Sequence, residues 1–285
     1  MIVDVKEMLT KARDGGYAVG AFNTVNLETT RGILEAALEM RSPVVVQMTE
    51  KTLDYAGGRA MYNLVRTIAD CYMPDVPVGI HLDHGKSFEI VQRATEIGFG
   101  SVMYDGSRHT YADNLAITKK VVDFCHAQGV PVQAELGNVP YLGELSMQEI
   151  NWDDYMTDPA QAKDFVEHTG IDVLAVAIGN AHGFFRERPV PDYDRLDEIV
   201  RLVSVPIVMH GASDWESDRV REVIKRGVSC FNVDTSIRLS FIGQLRQSLA
   251  TGDETDLRRL LGASKDAFKK TVKEKMEFFG SAGKM

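Results

Sequence analysis

With 285 residues, 44% of them hydrophobic, the chain is long enough to bury a large core, and a single domain over 1–285 is expected. A formal net charge of -9, with no clustering of Lys and Arg, excludes a binder of phosphate backbones, so no nucleic-acid partner is expected. Cys71, Cys125 and Cys230 are scattered and form no CxxC pair, which argues against a disulfide framework or a thiolate zinc site and fits a reducing compartment.

The opening MIVDVKEMLTKARDGG is amphipathic and polar, without an apolar signal region, and no later run approaches the roughly 18 apolar residues of a membrane span. A cytoplasmic protein with no membrane contact is expected. From there, β-branched runs alternate with segments of helical period. Strands are predicted over 17–23, 43–49, 76–83 and 101–106, then over 131–137, 173–179, 205–211 and 229–234. LETTRGILEAALEM, SFEIVQRATEIG and YADNLAITKKVVDFCHAQG read as amphipathic helices between them. Eight such units predict an α/β fold, a (β/α)₈ TIM barrel. The one long irregular stretch, about 138–158, has the length of a functional loop or lid. A helix near 235–250 and a charged helix over 255–280 exceed what closure needs; the second is expected to cover a barrel end or mediate oligomerisation.

Barrel active sites form at the C-terminal ends of the strands, which gives the residues there extra weight. Three of the seven histidines, His84, His182 and His210, fall just past strands 3, 6 and 7, where their rings can converge on one divalent ion, zinc in the first instance, and leave positions open to a substrate oxygen. The alternative is that each is an ordinary hydrogen-bonded strand-end histidine. His109, His126 and His168 fall on the outside and receive no role. Strand alternation puts His81 and Asp83 on one face, His81 supporting the site from behind and Asp83 free to exchange a proton with substrate. The competing assignment for Asp83 is a helix cap. Glu135, at the end of strand 5, and Glu144, in the long loop, are the other candidate carboxylates. After strands 7 and 8, HGAS (210–213) and NVDTS (232–236) suit either phosphate binding or plain helix capping.

These segments resemble the class II, metal-dependent ketose-bisphosphate aldolases. The likeness runs through AFNTVNLET (21–29), HLDHGKSFE (81–89), GFGSVMYDGS (98–107), QAELG (133–137), AIGNAHGFF (177–185), VMHGAS (208–213), FNVDTSIR (231–238) and KMEFFGSAGK (275–284). It implies one zinc ion per subunit on His84, His182 and His210, with Asp83 moving the proton at the scissile carbon–carbon bond. It further implies that Gly183, Gly211, Ser213, Asn232, Asp234 and Thr235 hold a dihydroxyacetone phosphate moiety. A monovalent cation near the phosphate and a homodimer or homotetramer also belong to the pattern the resemblance suggests.

Three departures from that family bear on the substrate. NVPYLGELS replaces the usual Gly-Gly-x-Glu-Asp loop, which leaves Glu144 as the nearest counterpart of the loop glutamate. Phe185-Arg186 replaces Tyr-Lys after the AHG motif, keeping in Arg186 a cation for the first phosphate but with a forked geometry. QMTEKTLDYAGG after strand 2 differs where the aldehyde half is expected. The expected activity is reversible cleavage of a ketose 1,6-bisphosphate of fructose or tagatose type. A relative acting on a deoxy-keto-gluconate phosphate or a sulfo-sugar phosphate is the alternative, and a metal-dependent hydrolase on the same barrel is the reading from another class.

Overall fold

A computed structural model describes residues 1–140, 151–183 and 190–285. Eight parallel strands close in sequence order: β1 Val19–Asn23, β2 Val44–Thr49, β3 Val78–Gly85, β4 Ser101–Tyr104, β5 Val132–Leu136, β6 Val173–Val176, β7 Ile207–Met209 and β8 Val228–Val233. β8 returns to β1 in the register Ala21↔Asn232. Six of the eight predicted runs contain their strand; β3 runs two residues past 83 and β8 begins one residue before 229, while β6 and β7 are shorter than the runs because the chain leaves the ladder at the mouth. His210 directly follows β7, and His182 lies six residues past the end of β6.

Period-two alternation divides each strand between two environments. Outward side chains such as Val44, Val46, Met48, Ile80, Leu82, Val102 and Ala134 are buried beneath the surrounding helices and form the main core. Inward side chains change character along the barrel axis. At the N-terminal end Val19, Val45, Val173, Val208 and Cys230 are apolar; towards the mouth come Gln47, His81, Ser101, Gln133, then Asn23, Asp83, Glu135 and Asn232. The polar half of the interior is the site's foundation.

The opening polar stretch is a helix, α1 Val5–Asp14, which starts at Asp4, whose side chain accepts from the Glu7 N–H at 2.9 Å. Its apolar face, Val5, Met8, Leu9 and Ala12, packs into the apolar tier and closes the barrel's N-terminal end. Lys6 on the opposite side reaches Asp172 at 2.8 Å, which His126 at the end of α6 Tyr111–His126 also contacts at 2.7 Å.

The helices between strands are α2 Leu27–Met40, α3 Glu50–Ala56, α4 Gly58–Tyr72, α5 Phe88–Ile97, α6, α7 Pro159–Thr169, α8 Tyr193–Leu202 and α9 Ser217–Lys225. After β8 come α10 Thr235–Thr251 and α11 Leu257–Phe278. Of the two roles expected for the charged last helix, closing a barrel end falls to α1: α11 lies along the outside, packed on α2 and α10. Gly32 allows that approach, since a Cβ there would stand 2.8 Å from Phe268 Cδ1. The terminal FFGSAG segment then ties back to the barrel: Phe279 stacks on Phe231 at 4.7 Å, and the Ala18 N–H donates to its carbonyl at 2.9 Å. That motif is structural. No described helix is long and apolar enough to cross a membrane.

Candidate active site

Asp83 and His84 are neighbours in β3, and in a regular strand they would face opposite ways. The β3–β4 register slips between Leu82 and Gly85, and His84 takes a left-handed backbone, φ 49°. Such a conformation costs a non-glycine residue on the order of 1–3 kcal/mol and persists only where the surroundings enforce it. Its effect is to bring His84 Nε2 within 3.8 Å of Asp83 Oδ1. Both side chains therefore face one centre.

His210 follows β7, and His182 sits in the loop after β6. The Asn180 amide joins the two segments: its Oδ1 accepts from the Ile178 N–H at 2.7 Å, and its Nδ2 donates to the carbonyls of Val176 (3.1 Å) and His210 (3.0 Å). Gly211 is required by the same junction, with φ 61° and a hypothetical Cβ only 2.5 Å from the Ala181 carbonyl carbon.

The three rings converge. Ring centroids of His84 and His210 are 4.6 Å apart, those of His84 and His182 5.3 Å, and ligand nitrogens of all three lie within 4.8 Å of one another. The nearest pair is His84 Nε2 and His210 Nδ1, at 2.9 Å. Their outward nitrogens are engaged: His84 Nδ1 with Asp105 Oδ2 at 2.8 Å, and His210 Nε2 with the Gln133 side-chain amide at 2.8 Å. Rings anchored from behind, with nitrogens turned to a common centre, fit a divalent ion. A His210 that gives Nδ1 to a metal carries its proton on Nε2, so Gln133 then presents its carbonyl oxygen there.

The surrounding charge agrees. Burial alone would hold His84 neutral, but Asp83, Asp105 and Glu135 outweigh it and push the ring up to about 9. Burial and the positive His84 drive His210 well below the usual range. Burial also raises Asp105, yet its hydrogen bonds to and attraction by His84 win, and it lies far below the normal carboxylate range. Glu135, fully buried and beside Asp105, is pushed up to about 8, and its Oε2 has no hydrogen-bond partner among the described residues. His84, Asp105 and Glu135 form a second group with ligand atoms inside the same 4.8 Å limit. A centre that favours one positive charge and leaves a carboxylate oxygen unpaired suits a cation.

Asp83 is held on both sides. Asn23 Nδ2 donates to Oδ2 at 2.9 Å and Asn232 Nδ2 to Oδ1 at 3.0 Å. The α5 helix is instead capped by Ser87, whose Oγ accepts from the Ile90 N–H, so Asp83 has no capping duty. His81 lies inward below it, 2% exposed, with Nδ1 on Ser101 Oγ at 2.9 Å. Gly183 adjoins His182. Gly211 and Ser213 lie in the loop after β7, while Asp234 and Thr235 stand at the start of α10, where Asp234 makes no side-chain cap. Glu144 and Arg186 lie outside the described residues, as does much of the 138–158 loop. His126 and His168 sit on the outside, as expected.

Asp105, Gln133 and Gln47 were given no role from sequence, although they orient the groups that were. Gln47 and Gln133 did carry a signal, each an amide flanked on both sides by apolar strand residues, in VVVQMT and VQAEL.

Comparison with known proteins bears on the whole chain. A fructose-bisphosphate aldolase of Thermus caldophilus is 41% identical over 309 aligned positions, covering 100% of both chains, and one of Geobacillus stearothermophilus 40% identical, covering 99% and 98%. Among solved structures, the YdjI aldolase of Escherichia coli K12 superposes with a TM-score of 0.88 at 33% identity, covering 100% of this chain and 99% of that one. The family profile described as "Fructose-bisphosphate aldolase class-II" matches residues 3–284. Agreement over the full length, in sequence as well as in fold, places this chain in the class II fructose-bisphosphate aldolase family.

Proposed function

We propose that the chain catalyses reversible aldol cleavage of a ketose 1,6-bisphosphate, of fructose or tagatose type, to dihydroxyacetone phosphate and an aldehyde. The observation that carries this is the juxtaposition of a three-histidine centre with Asp83, whose carboxylate stands 3.8 Å from His84 and is fixed by two amides. His84, His182 and His210 hold one zinc ion per subunit, which when bound supplies the polarisation of the ketone that a Schiff-base lysine would otherwise provide. Asp83 takes the proton from the hydroxyl beside the scissile bond in cleavage and returns it in condensation. Glu135 and Asp105 set the charge of the centre, and His81 supports it from below.

Phosphate is bound by the loops after β7 and β8, with Gly183, Gly211, Ser213, Asn232, Asp234 and Thr235 around it. In support, among the described residues the α10 N-terminus has no side-chain cap, and the buried Ser236 Oγ beside it has no partner. Arg186, for a phosphate, and Glu144, as a second acid/base group, remain assignments from sequence, as does a monovalent cation near the phosphate. The chain acts as a single cytoplasmic domain and assembles as a homodimer or homotetramer. For the last, α10 offers an exposed apolar stripe, Leu239, Ile242 and Leu249.

Cleavage of fructose and tagatose bisphosphates, measured with chelator, after zinc is restored, and in Asp83→Ala, tests this directly. Chelation is expected to abolish turnover and lower the melting temperature, zinc to restore both, and Asp83→Ala to lose at least ~100-fold in kcat. Activity that survives chelation or the loss of Asp83 would contradict the mechanism. Turnover confined to a ketose phosphate with another acceptor half would replace the substrate.

A further inference from the structure

We propose that Gln47 and His81, buried one tier beneath the site and touching none of the reacting atoms, are positioning residues that fix the direction of the Asn23 amide and through it the hydrogen bonding of Asp83. The inference rests on Asp83 as the proton carrier. An Asn side chain can present either end of its amide to a carboxylate, and the two ends are almost the same shape. Only the nitrogen end bonds to Asp83; the oxygen end repels it.

What decides the direction is the neighbour on the other side. Asn23 Oδ1 accepts from Gln47 Nε2 at 2.8 Å, so Nδ2 is left to Asp83 Oδ2 at 2.9 Å. Gln47 is itself 0% exposed, and reversing it would set two amide oxygens face to face, or turn Asn23 and set its oxygen against the carboxylate. Gln47 therefore needs its own reference.

His81 supplies it. Gln47 and His81 are register partners on β2 and β3, both pointing inward, and each has one buried atom without a partner among the described residues: Gln47 Oε1 and His81 Nε2. Burial pushes His81 down to about 4, so the ring is neutral and carries a single N–H. His81 Nδ1 lies 2.9 Å from Ser101 Oγ, a contact that either atom can donate; the relay requires Ser101 Oγ–H to be the donor, which puts the ring proton on Nε2, a donor beside an acceptor. A hydrogen bond from Nε2–H towards Gln47 Oε1, made by a small side-chain adjustment or through a single buried water, would satisfy both atoms, which are otherwise buried and unpaired. The chain then runs in one direction, from Ser101 to His81, Gln47, Asn23 and Asp83.

A double-mutant cycle on the zinc-loaded enzyme tests the relay, using Asn23→Ala, Gln47→Met and the double variant. Gln47→Met is expected to lower kcat roughly tenfold with KM changed less than about twofold, and to cost nothing further once Asn23 is alanine. Additive losses, or a loss seen in KM alone, would overturn the proposal. Wild-type protein labelled with ¹⁵N-histidine gives a second measurement independent of whether the variants fold: His81 should be the Nε2–H tautomer, and the Nδ1–H tautomer would reverse the relay and sink it. If Asp83→Ala stays active, the assignment of Asp83 has failed; if Asp83→Ala is dead and Gln47→Met unimpaired, only the relay has.

Discussion

At the scale of single residues, the barrel interior is unusual in keeping neutral groups next to charged ones within one buried layer. His81 shows the consequence for stability. Its folded value of about 4 lies below the 6.5 of an exposed imidazole, with burial as the largest cause. Above pH 6.5 neither state binds the proton, and the residue has no linked effect. Below it the unfolded chain takes up a proton that the folded protein refuses, so stability falls as pH drops from 6.5 towards 4, by about 3 kcal/mol in all. Urea unfolding at pH 7 and pH 4.5 should show a smaller acid loss in His81→Gln than in the wild type. Identical pH dependence in the two proteins would contradict this account. His84 illustrates the opposite case, where three carboxylates outweigh burial and keep a proton, or a cation, in place.

At the scale of elements, α2 and α11 show how packing overrides propensity. Glu35 and Glu39 on α2 meet Lys265, Lys269 and Lys273 on α11 at 2.6–3.5 Å, but such partly exposed pairs contribute at most about 1 kcal/mol each. The closer constraint is steric. Helix propensity by itself predicts that Gly32→Ala stabilises by about 1 kcal/mol. The 2.8 Å approach to Phe268, itself 1% exposed, predicts the reverse, a net loss of about 1–3 kcal/mol and a melting temperature several degrees lower. A higher melting temperature for Gly32→Ala would show that the helices can separate without cost. The β3 end follows the same logic: a one-residue slip and a left-handed histidine turn towards one centre two neighbours that alternation would part.

At the scale of the whole molecule, α10 is apolar on two sides: Ile237 and Phe241 are buried within the protein, while Leu239, Ile242 and Leu249 face outward. A helix of that kind is usually covered twice. Sedimentation equilibrium at micromolar concentration should therefore find a dimer or tetramer, and Leu239→Glu with Ile242→Glu should shift it towards monomer; a monomeric wild type would refute the assignment. The sequence by itself determined the eight-fold alternation of strands and helices, and with it the mouth positions of His84, His182 and His210, because period and strand order alone fix which residues end a strand. It also placed His81 and Asp83 on one inner face. It read the first 16 residues only as a polar amphipathic stretch, because nothing local reveals that the apolar face of α1 has an open barrel end to fill. Nor could it give Asp105, Gln133 and Gln47 their roles, since each orients a group 21, 77 or 24 residues away. The direction of an amide or the tautomer of a ring is set by what stands on its far side, and barrel closure alone brings those partners together.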